Sequence, residues 1–417
     1  MLEPQSTVLF ILLIVIFGAL VWWLIVARRV GFRITAACLS FAVAAAFGVL
    51  AVNRYFSYYQ TWGSAIADFS NPNPNSGPQV SSGSLLVGDR SPAFDEHAVY
   101  LKLAMVDGYT LHINIAGKLS HITRDAYIYL PPQYFQPQYK NYRFPVVELI
   151  HGQPGEPQDW INVVGVTTTL VNEIDRGLAK PAVLVMPNAN GGQTISLQCL
   201  NQVGGPQDMT YLAEDVPTVV THMLRVLPPG LGWGVAGYSE GGFCAANMAL
   251  QFRYRYGAAA SISGYFIPYK NQLASGPVNP FGNDKALRAA NTPIDEVRTL
   301  GAGARLPQFW LGAGKGDHLD VANAEFFWQE LSQYQANVPL DLSSDGGHTM
   351  ATWHAEVPPM ISWMTNTLVT AVTHENQALK SNAERAARRD LAKKRTKQGL
   401  RPFPKAHATP HPSASKS

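Results

Sequence analysis

The chain of 417 residues contains little cysteine and little charge. Three cysteines are too few for a disulfide scaffold, although one pair remains possible. Charged residues make up 15% and hydrophobic residues 47%, which excludes a wholly disordered, a collagen-like or a polytopic membrane protein. The sequence has neither an H-E-x-x-H nor a C-x-x-C motif, nor a P-loop, nor a G-x-G-x-x-G that opens a helix. We therefore expect no metal and no cofactor.

The charge is unevenly distributed. Residues 380–417 hold 11 Lys and Arg against 2 Asp and Glu, whereas the rest of the chain holds 21 against 27. A basic, Pro- and Ser-rich end is typical of a solvated, disordered tail. Alternatively, it could be attracted to anionic lipids or wall polymers. Nucleic acid would require a cytoplasmic tail, and the topology predicted below argues against that location.

Two uncharged apolar stretches near the N-terminus predict a membrane anchor. They cover about 8–27 and 34–53, close to the ~20 residues that cross a bilayer. The loop between them carries only positive charges, Arg28, Arg29 and Arg33. By the positive-inside rule this loop is cytoplasmic, and everything after Arg54 lies on the extracytoplasmic side of the cell membrane. A single span and a cleaved signal peptide are the alternatives, but Glu3 is the only charge before the first stretch, where a signal peptide has positive charge.

The remaining chain divides by composition. We predict a membrane anchor at 1–54, a juxtamembrane segment and flexible linker at 55–95, a catalytic domain at 96–375, and a disordered basic tail at 376–417. Within the catalytic domain, two runs alternate in a β-like pattern, at 111–117 and 125–132. Continuous apolar runs that end in Gly, Asn or Ser follow them, at 145–152, 182–188, 232–239, 258–264 and 307–314. Helix-like stretches such as 209–227 and 321–335 separate them. This alternation predicts an α/β fold around a mainly parallel sheet.

A candidate nucleophile follows one of these runs. Gly237-Tyr238-Ser239-Glu240-Gly241 matches G-x-S-x-G, directly after an apolar run and before a helix-compatible segment. A nucleophile elbow needs this context because the serine sits on a tight strand-to-helix turn. The pattern alone is common, so the flanking strand and helix support the assignment of Ser239. The alternative is a glycine-rich turn with an incidental serine.

A serine hydroxyl needs a base and an acid, which follow it in the order Ser, acid, His in this type of fold. His348 lies in a glycine-rich loop after the last predicted strand, from where it could reach the serine. We predict it as the base, whereas His354 lies in an aromatic segment typical of a structural role. Asp317, three residues after a strand-like run, is the predicted acid. Asp320 is its close rival, and an aspartate here could equally cap a helix.

The oxyanion needs backbone N–H donors, one from the residue after the nucleophile and one from an early loop. We predict Glu240 and Gln153 for these positions. His151, which precedes the nucleophile in the chain, is predicted to structure its loop. Cys199 and Cys244 both fall in the extracytoplasmic domain and could form a disulfide; the alternative is two buried thiols.

Four motifs together resemble the esterase D and mycolyltransferase branch of the α/β-hydrolases: HGxxGxxxxW from His151, TYLAEDVP from Thr210, GYSEGG around Ser239 and GGHTMATW around His348. The resemblance spans about 125–367. It implies an α/β-hydrolase fold and a serine esterase, with acyl transfer to a sugar or lipid hydroxyl as the alternative. Mycolyltransferases have a glutamate as the acid, so an aspartate favours an esterase.

An outward-facing membrane anchor favours an ester of the cell envelope, such as an acyl- or aminoacyl-lipid or a glycolipid. A catalytically inactive scaffold is the remaining alternative.

Overall fold

The computed structural model describes residues 3–4, 6–56, 62, 104–192, 196–268, 279–301 and 304–397. Most of the predicted linker and the end of the predicted tail lie outside these residues. The chain divides into two compact units, Met1–Val369 and Thr370–Ser417.

The N-terminal region forms two helices, α1 (Thr7–Val26) and α2 (Val30–Phe56). Both are long and apolar enough to cross a membrane. They run antiparallel: the guanidinium of Arg54, near the end of α2, donates to Thr7 Oγ1 at 3.2 Å and lies over the Phe10 ring. The described start of α1 and the end of α2 are therefore neighbours. The observed helices match the two predicted stretches, and α2 is longer at both ends.

An eight-stranded sheet forms the centre of the larger unit. Its strands are β1 (Tyr109–Ala116), β2 (Thr123–Leu130), β3 (Val146–Ile150), β4 (Val183–Pro187), β5 (Gly230–Tyr238), β6 (Tyr256–Ile262), β7 (Gln308–Gly312) and β8 (Leu340–Asp341). Their order is β1-β2-β4-β3-β5-β6-β7-β8. β2 is antiparallel to β1 and to β4, and all other neighbours are parallel. The alternating and continuous runs of the sequence correspond to these two parts of the sheet.

Helices cover both faces of the sheet. They are α3 (Asp159–Asn162), α4 (Val166–Asp175), α5 (Val216–Met223), α6 (Glu240–Gln251), α7 (Lys285–Ala290), α8 (Pro293–Arg298), α9 (His318–Ser332) and α10 (Met350–Lys397). A π-helical turn, Tyr211–Asp215, leads into α5, and two 3-10 turns, Pro132–Phe135 and Pro137–Tyr139, follow β2. One apolar core packs α5, α6, α8 and α9 against the sheet, and a second packs α3, α4 and the start of α10 against the opposite face. The central strands are consequently buried on both faces.

The C-terminal region differs from its prediction. We predicted a disordered tail from residue 376, but α10 continues to Lys397. Between 376 and 397 the chain is rich in Ala, Leu, Glu, Lys and Arg, which have high helix propensity, and this favours continuation of a helix that packing has already nucleated. Residues 398–417 lie outside the described part of the chain.

The carboxyl ends of the parallel strands bring the predicted site residues to one edge of the sheet. β3 ends just before Gln153, β5 just before Ser239, β7 before Asp317, and β8 before His348. In α/β sheets, ligands and catalytic groups collect at this edge.

Candidate active site

Ser239 occupies the turn between β5 and α6 in a strained backbone conformation, with φ 55° and ψ −123°. Such a conformation costs about 1–3 kcal/mol in a non-glycine residue and persists only where surrounding contacts hold it. Here the Ser239 N–H donates to the carbonyl of Ile262 at 2.9 Å. A Cβ on Gly237 would collide with the backbone of Gly241, and a Cβ on Gly241 with the carbonyl of Ile150. The glycines let the turn close.

The imidazole of His348 reaches the hydroxyl of Ser239 from the loop after β8. Ser239 Oγ and His348 Nε2 are 2.9 Å apart, so the hydroxyl can donate to the ring. Two backbone hydrogen bonds join this loop to the one after β7: Lys315 N–H to Ser344 O at 2.8 Å, and Gly316 N–H to Gly346 O at 2.9 Å. The loop after β7 leads through Asp317 into the start of α9, where Asp320 lies, so His348 and the two carboxylates are held by a common backbone frame.

Two carboxylates approach the other nitrogen of the ring. His348 Nδ1 lies 2.8 Å from Asp317 Oδ2 and 2.8 Å from Asp320 Oδ2. Asp317 also caps α9, because its Oδ1 accepts from the Asp320 N–H at 3.4 Å. The structure therefore brings the predicted acid and its rival to the same atom.

The acids control the charge of His348. Burial lowers its pKa, but the hydrogen bonds and charges of Asp317 and Asp320 outweigh burial and raise the pKa to about 9. Burial also acts on the acids: it raises the pKa of Asp320, with the nearby charge of Asp317 adding to the effect. For Asp317 the hydrogen bond to His348 prevails over burial, and its pKa is lowered. The site favours a protonated imidazole, as is formed when the base accepts a proton.

The predicted oxyanion donors, Glu240 and Gln153, belong to two segments that border Ser239. Glu240 is the first residue of α6, and the N–H groups of a first helical turn have no partner within their own helix. Gly152 is so close to the elbow that a Cβ there would lie 3.1 Å from Ser239 Cβ, so the turn that leads into Gln153 packs against the nucleophile. The side chain of Gln153 accepts a hydrogen bond from the amide of Asn190.

His151 holds this turn through both of its ring nitrogens. Its Nδ1 is 2.8 Å from the carbonyl of Gly152, and its Nε2 accepts the Ala189 N–H at 3.1 Å. Burial lowers its pKa to about 4, and the ring is neutral at physiological pH. His354 is likewise engaged, with Nδ1 2.7 Å from the carbonyl of Val164.

The loop that contains Cys199 is tied to α6. Its Cys199 is joined to Cys244 on α6 by a disulfide with a Cα separation of 5.6 Å. Two further residues of the loop contribute to the attachment. The carboxyl of Glu240 accepts hydrogen bonds from Ser196 Oγ and, at 3.1 Å, from the Gln198 N–H. Burial raises the pKa of Glu240 to about 8, against the effect of the Gln198 hydrogen bond. Glu240 thus links this loop to the turn that carries Ser239.

Sequence reasoning missed several supporting residues. Asp320 was weighed only as a substitute for Asp317, and Asn190 was not singled out at all. Trp353 packs edge-to-face on His348 with ring centroids 5.0 Å apart, and stacks on Tyr238 at 4.4 Å. Their roles depend on contacts between distant segments, for which the chain offers no spacing signal.

In the described part of the chain, one cluster has the donor atoms that a metal ion needs, and it consists of Asp317, Asp320 and His348. The same atoms form the hydrogen bonds around the imidazole described above. The expectation of no metal stays a prediction.

Comparison with protein families matches residues 122–364 to the family described as "Putative esterase". An uncharacterized protein of Corynebacterium glutamicum is 24% identical over 266 residues, a match that covers 62% of this chain and 62% of that protein. The chain therefore spans less than two thirds of the length of this relative.

Solved structures with the same fold include a ferulic acid esterase, with a TM-score of 0.53 at 19% identity, covering 62% of this chain and 98% of the other. FphF, a fluorophosphonate-binding serine hydrolase of Staphylococcus aureus, has a TM-score of 0.51 at 17% identity, covering 61% and 98%. An S-formylglutathione hydrolase from Agrobacterium tumefaciens has a TM-score of 0.51 at 16% identity, covering 63% and 96%. At these identities the likeness establishes the fold, and the predicted α/β-hydrolase architecture is confirmed.

Proposed function

The chain belongs to the esterase family of α/β-hydrolases, and we propose that it hydrolyses a carboxylic ester with Ser239 as the nucleophile, His348 as the base and Asp317 as the acid. The observation that carries this proposal is the continuous hydrogen-bond path from Ser239 Oγ through His348 to a carboxylate, with 2.9 Å and 2.8 Å steps. This is the arrangement that nucleophilic catalysis by serine requires.

In the proposed reaction, Ser239 Oγ attacks the ester carbonyl while His348 Nε2 takes the hydroxyl proton. The backbone N–H groups of Glu240 and Gln153 receive the negative oxygen of the tetrahedral intermediate, each donor contributing about 2.7–4 kcal/mol. The intermediate collapses when His348 returns the proton to the leaving alcohol, which leaves an acyl-enzyme. Water, deprotonated by the same imidazole, then releases the acid and restores Ser239.

We propose further that the enzyme is membrane-anchored and faces outward. Two observations support this location. Arg28 and Arg29 lie in the short loop between α1 and α2, and Arg33 lies in the first turn of α2, which favours a cytoplasmic location for this end of the hairpin and an extracytoplasmic location for the other end. The disulfide between Cys199 and Cys244 suits an oxidising compartment. An anchored outward enzyme would meet envelope esters, so an acyl- or aminoacyl-lipid or a glycolipid is the proposed substrate class.

The basic C-terminal stretch, residues 380–417, fits the same location. Its excess of Lys and Arg would attract anionic lipid headgroups or wall polymers, with about 1 kcal/mol for each basic residue near an anionic surface. This attraction would keep the catalytic unit close to its substrate.

The proposed function is tested with Ser239→Ala in the full-length protein. We expect hydrolysis of p-nitrophenyl esters and labelling by a fluorophosphonate probe to disappear, because the variant has no nucleophile. Circular dichroism and the thermal midpoint should stay close to those of the parent protein. Retained hydrolysis by the purified variant would contradict the proposal, as would a folded parent protein that neither hydrolyses esters nor reacts with the probe. An added trehalose acceptor separates hydrolysis from acyl transfer by the product formed.

A further inference from the structure

We propose that Asp320 is a second positioning acid of the active site, so that His348 is held by a pair of carboxylates, Asp317 and Asp320. The inference rests on the proposed function and adds a residue to it. A triad has one acid on Nδ1 of the histidine. Here two carboxylate oxygens lie at the same distance, 2.8 Å, from that nitrogen.

The local backbone explains why both side chains can reach the ring. Asp317 is the cap residue of α9 and Asp320 lies in its first turn, three positions later, so the two side chains stand on one side of the helix end. Asp320 is buried, with 7% of its surface exposed, and its carboxyl uses both oxygens. Oδ2 faces His348, and Oδ1 accepts from Asn323 Nδ2 at 3.1 Å.

The two acids share the proton of one nitrogen. Nδ1 carries one N–H, which both carboxylates accept. Two carboxylates held this close make it harder for each other to ionise. Burial and the charge of Asp317 raise the pKa of Asp320, whereas for Asp317 the hydrogen bond to His348 outweighs burial and lowers the pKa. Either acid can thus keep Nδ1 protonated and Nε2 free to accept the serine proton.

The alternative is a purely structural role, in which Asp320 only stabilises the start of α9, where a negative charge is favourable. The loops after β7 and β8 also carry Lys315 and Asp345. These two pair with each other at an exposed position, so we do not expect them to replace Asp320 beside His348. The two readings differ in how activity depends on pH.

The experiment measures kcat/KM for Asp317→Asn, Asp320→Asn and the double variant in the full-length protein. Loss of the acid in a one-acid triad costs about 10⁴-fold in kcat. We expect Asp320→Asn to lose about 10-fold, Asp317→Asn about 10- to 100-fold, and the double variant about 10⁴-fold, because each single variant keeps one acid on Nδ1. Asparagine at 317 still caps the helix. Glu325→Gln, on the exposed face of α9, is the matched control and should keep parent activity.

The pH profile separates positioning from mere helix stabilisation. Parent kcat/KM should rise with pH to about 9, since His348 must be neutral to accept a proton and its pKa is about 9. Asp320→Asn removes a negative neighbour of His348, so the midpoint of the pH profile should shift to lower pH. The ratio of variant to parent activity should therefore increase as the pH is lowered from 9 to 6. A structural role would lower activity by the same factor at every pH.

Asp320→Ser, a second variant that also suits a helix start, guards against a folding defect specific to asparagine, and thermal midpoints are recorded for all variants. The inference is overturned if both Asp320 variants match Glu325→Gln in kcat/KM and in pH midpoint. It is equally overturned if Asp317→Asn is as inactive as the double variant. Because Ser239→Ala tests the nucleophile separately, an inactive Ser239→Ala beside parent-like Asp320 variants would remove only this inference.

Discussion

Glu148 is a carboxyl in the middle of the sheet and takes no part in the proposed chemistry. It lies on β3 with none of its surface exposed, and Tyr256 donates its hydroxyl to Oε2 at 2.8 Å. Burial raises its pKa to about 8, and the hydrogen bond from Tyr256 opposes this only partly. Burying an ionised carboxylate is costly, so Glu148 is a neutral acid in the folded protein and releases its proton when the chain unfolds.

Replacing this acid should therefore change how stability depends on pH. Between pH 4.5 and about 8 the folded protein binds the Glu148 proton and the unfolded chain has released it, so this residue lowers stability as pH rises through that window. Glu148→Gln keeps the shape and does not titrate. We expect it to be more stable than the parent above pH 8, by more than about 1 kcal/mol, with the difference vanishing near pH 4.5.

Chemical unfolding of the full-length protein in detergent at pH 5, 7 and 9 measures this difference. Glu325→Gln, which changes an exposed glutamate, should show no such trend. A Glu148→Gln increment that is constant with pH would contradict the prediction.

The elements around the elbow are held together by a covalent link as well as by packing. Helix α6 carries Cys244, and the disulfide attaches it to the loop of Cys199, 45 positions earlier in the chain. Glu240, at the start of the same helix, binds that loop through its side chain. The loop is thus fixed at two points on α6, one of them adjacent to the nucleophile.

Removing the disulfide should lower stability and activity together. We expect Cys199→Ala with Cys244→Ala to cost about 2–4 kcal/mol, because a cross-link restricts the unfolded chain, and to lower kcat/KM because the loop no longer supports Glu240. Dithiothreitol should lower the unfolding midpoint of the parent protein and leave that of the double variant unchanged.

Cys38→Ser is the matched control for the disulfide variants, since Cys38 is exposed on α2 and unpaired. Its midpoint should respond to dithiothreitol as the parent does. Equal midpoints for the parent and the double variant, in the absence of reductant, would show that the link contributes no stability.

The molecule as a whole combines a helical hairpin, a catalytic unit and a basic C-terminal segment. The Arg54 contact with Thr7 keeps the outer ends of α1 and α2 together. If the hairpin spans the bilayer, the short loop between the helices and the catalytic unit lie on opposite sides.

Thiol labelling tests this topology in a Cys38→Ser background. A membrane-impermeant maleimide should label Ser82→Cys in intact cells, because that position follows the second helix. It should label Ala27→Cys, in the loop between the helices, only after the membrane is permeabilised. The reverse pattern would place the catalytic unit in the cytoplasm, and a mature chain that has lost its N-terminus would indicate a cleaved signal peptide.

Much of the sheet could be predicted because local patterns reflect local environments. Strands buried on both faces are continuous apolar runs, and the turn at Ser239 needs glycine at close backbone contacts. Both features can be recognised in short stretches of sequence. The continuation of α10 beyond residue 376 was missed, because the high charge that indicates disorder belongs here to residues that also favour helix.

The amino-acid sequence by itself determined the strand–helix alternation, the elbow serine, the candidate histidine and the two apolar N-terminal helices, since each depends on neighbours a few positions away. Only the tertiary structure decided which acids meet the imidazole. Asp317 and Asp320 lie three positions apart on the same helix end, and both are plausible from sequence. Their simultaneous contact with His348 depends on the backbone pairing of two loops, which is a property of the folded sheet edge rather than of any segment.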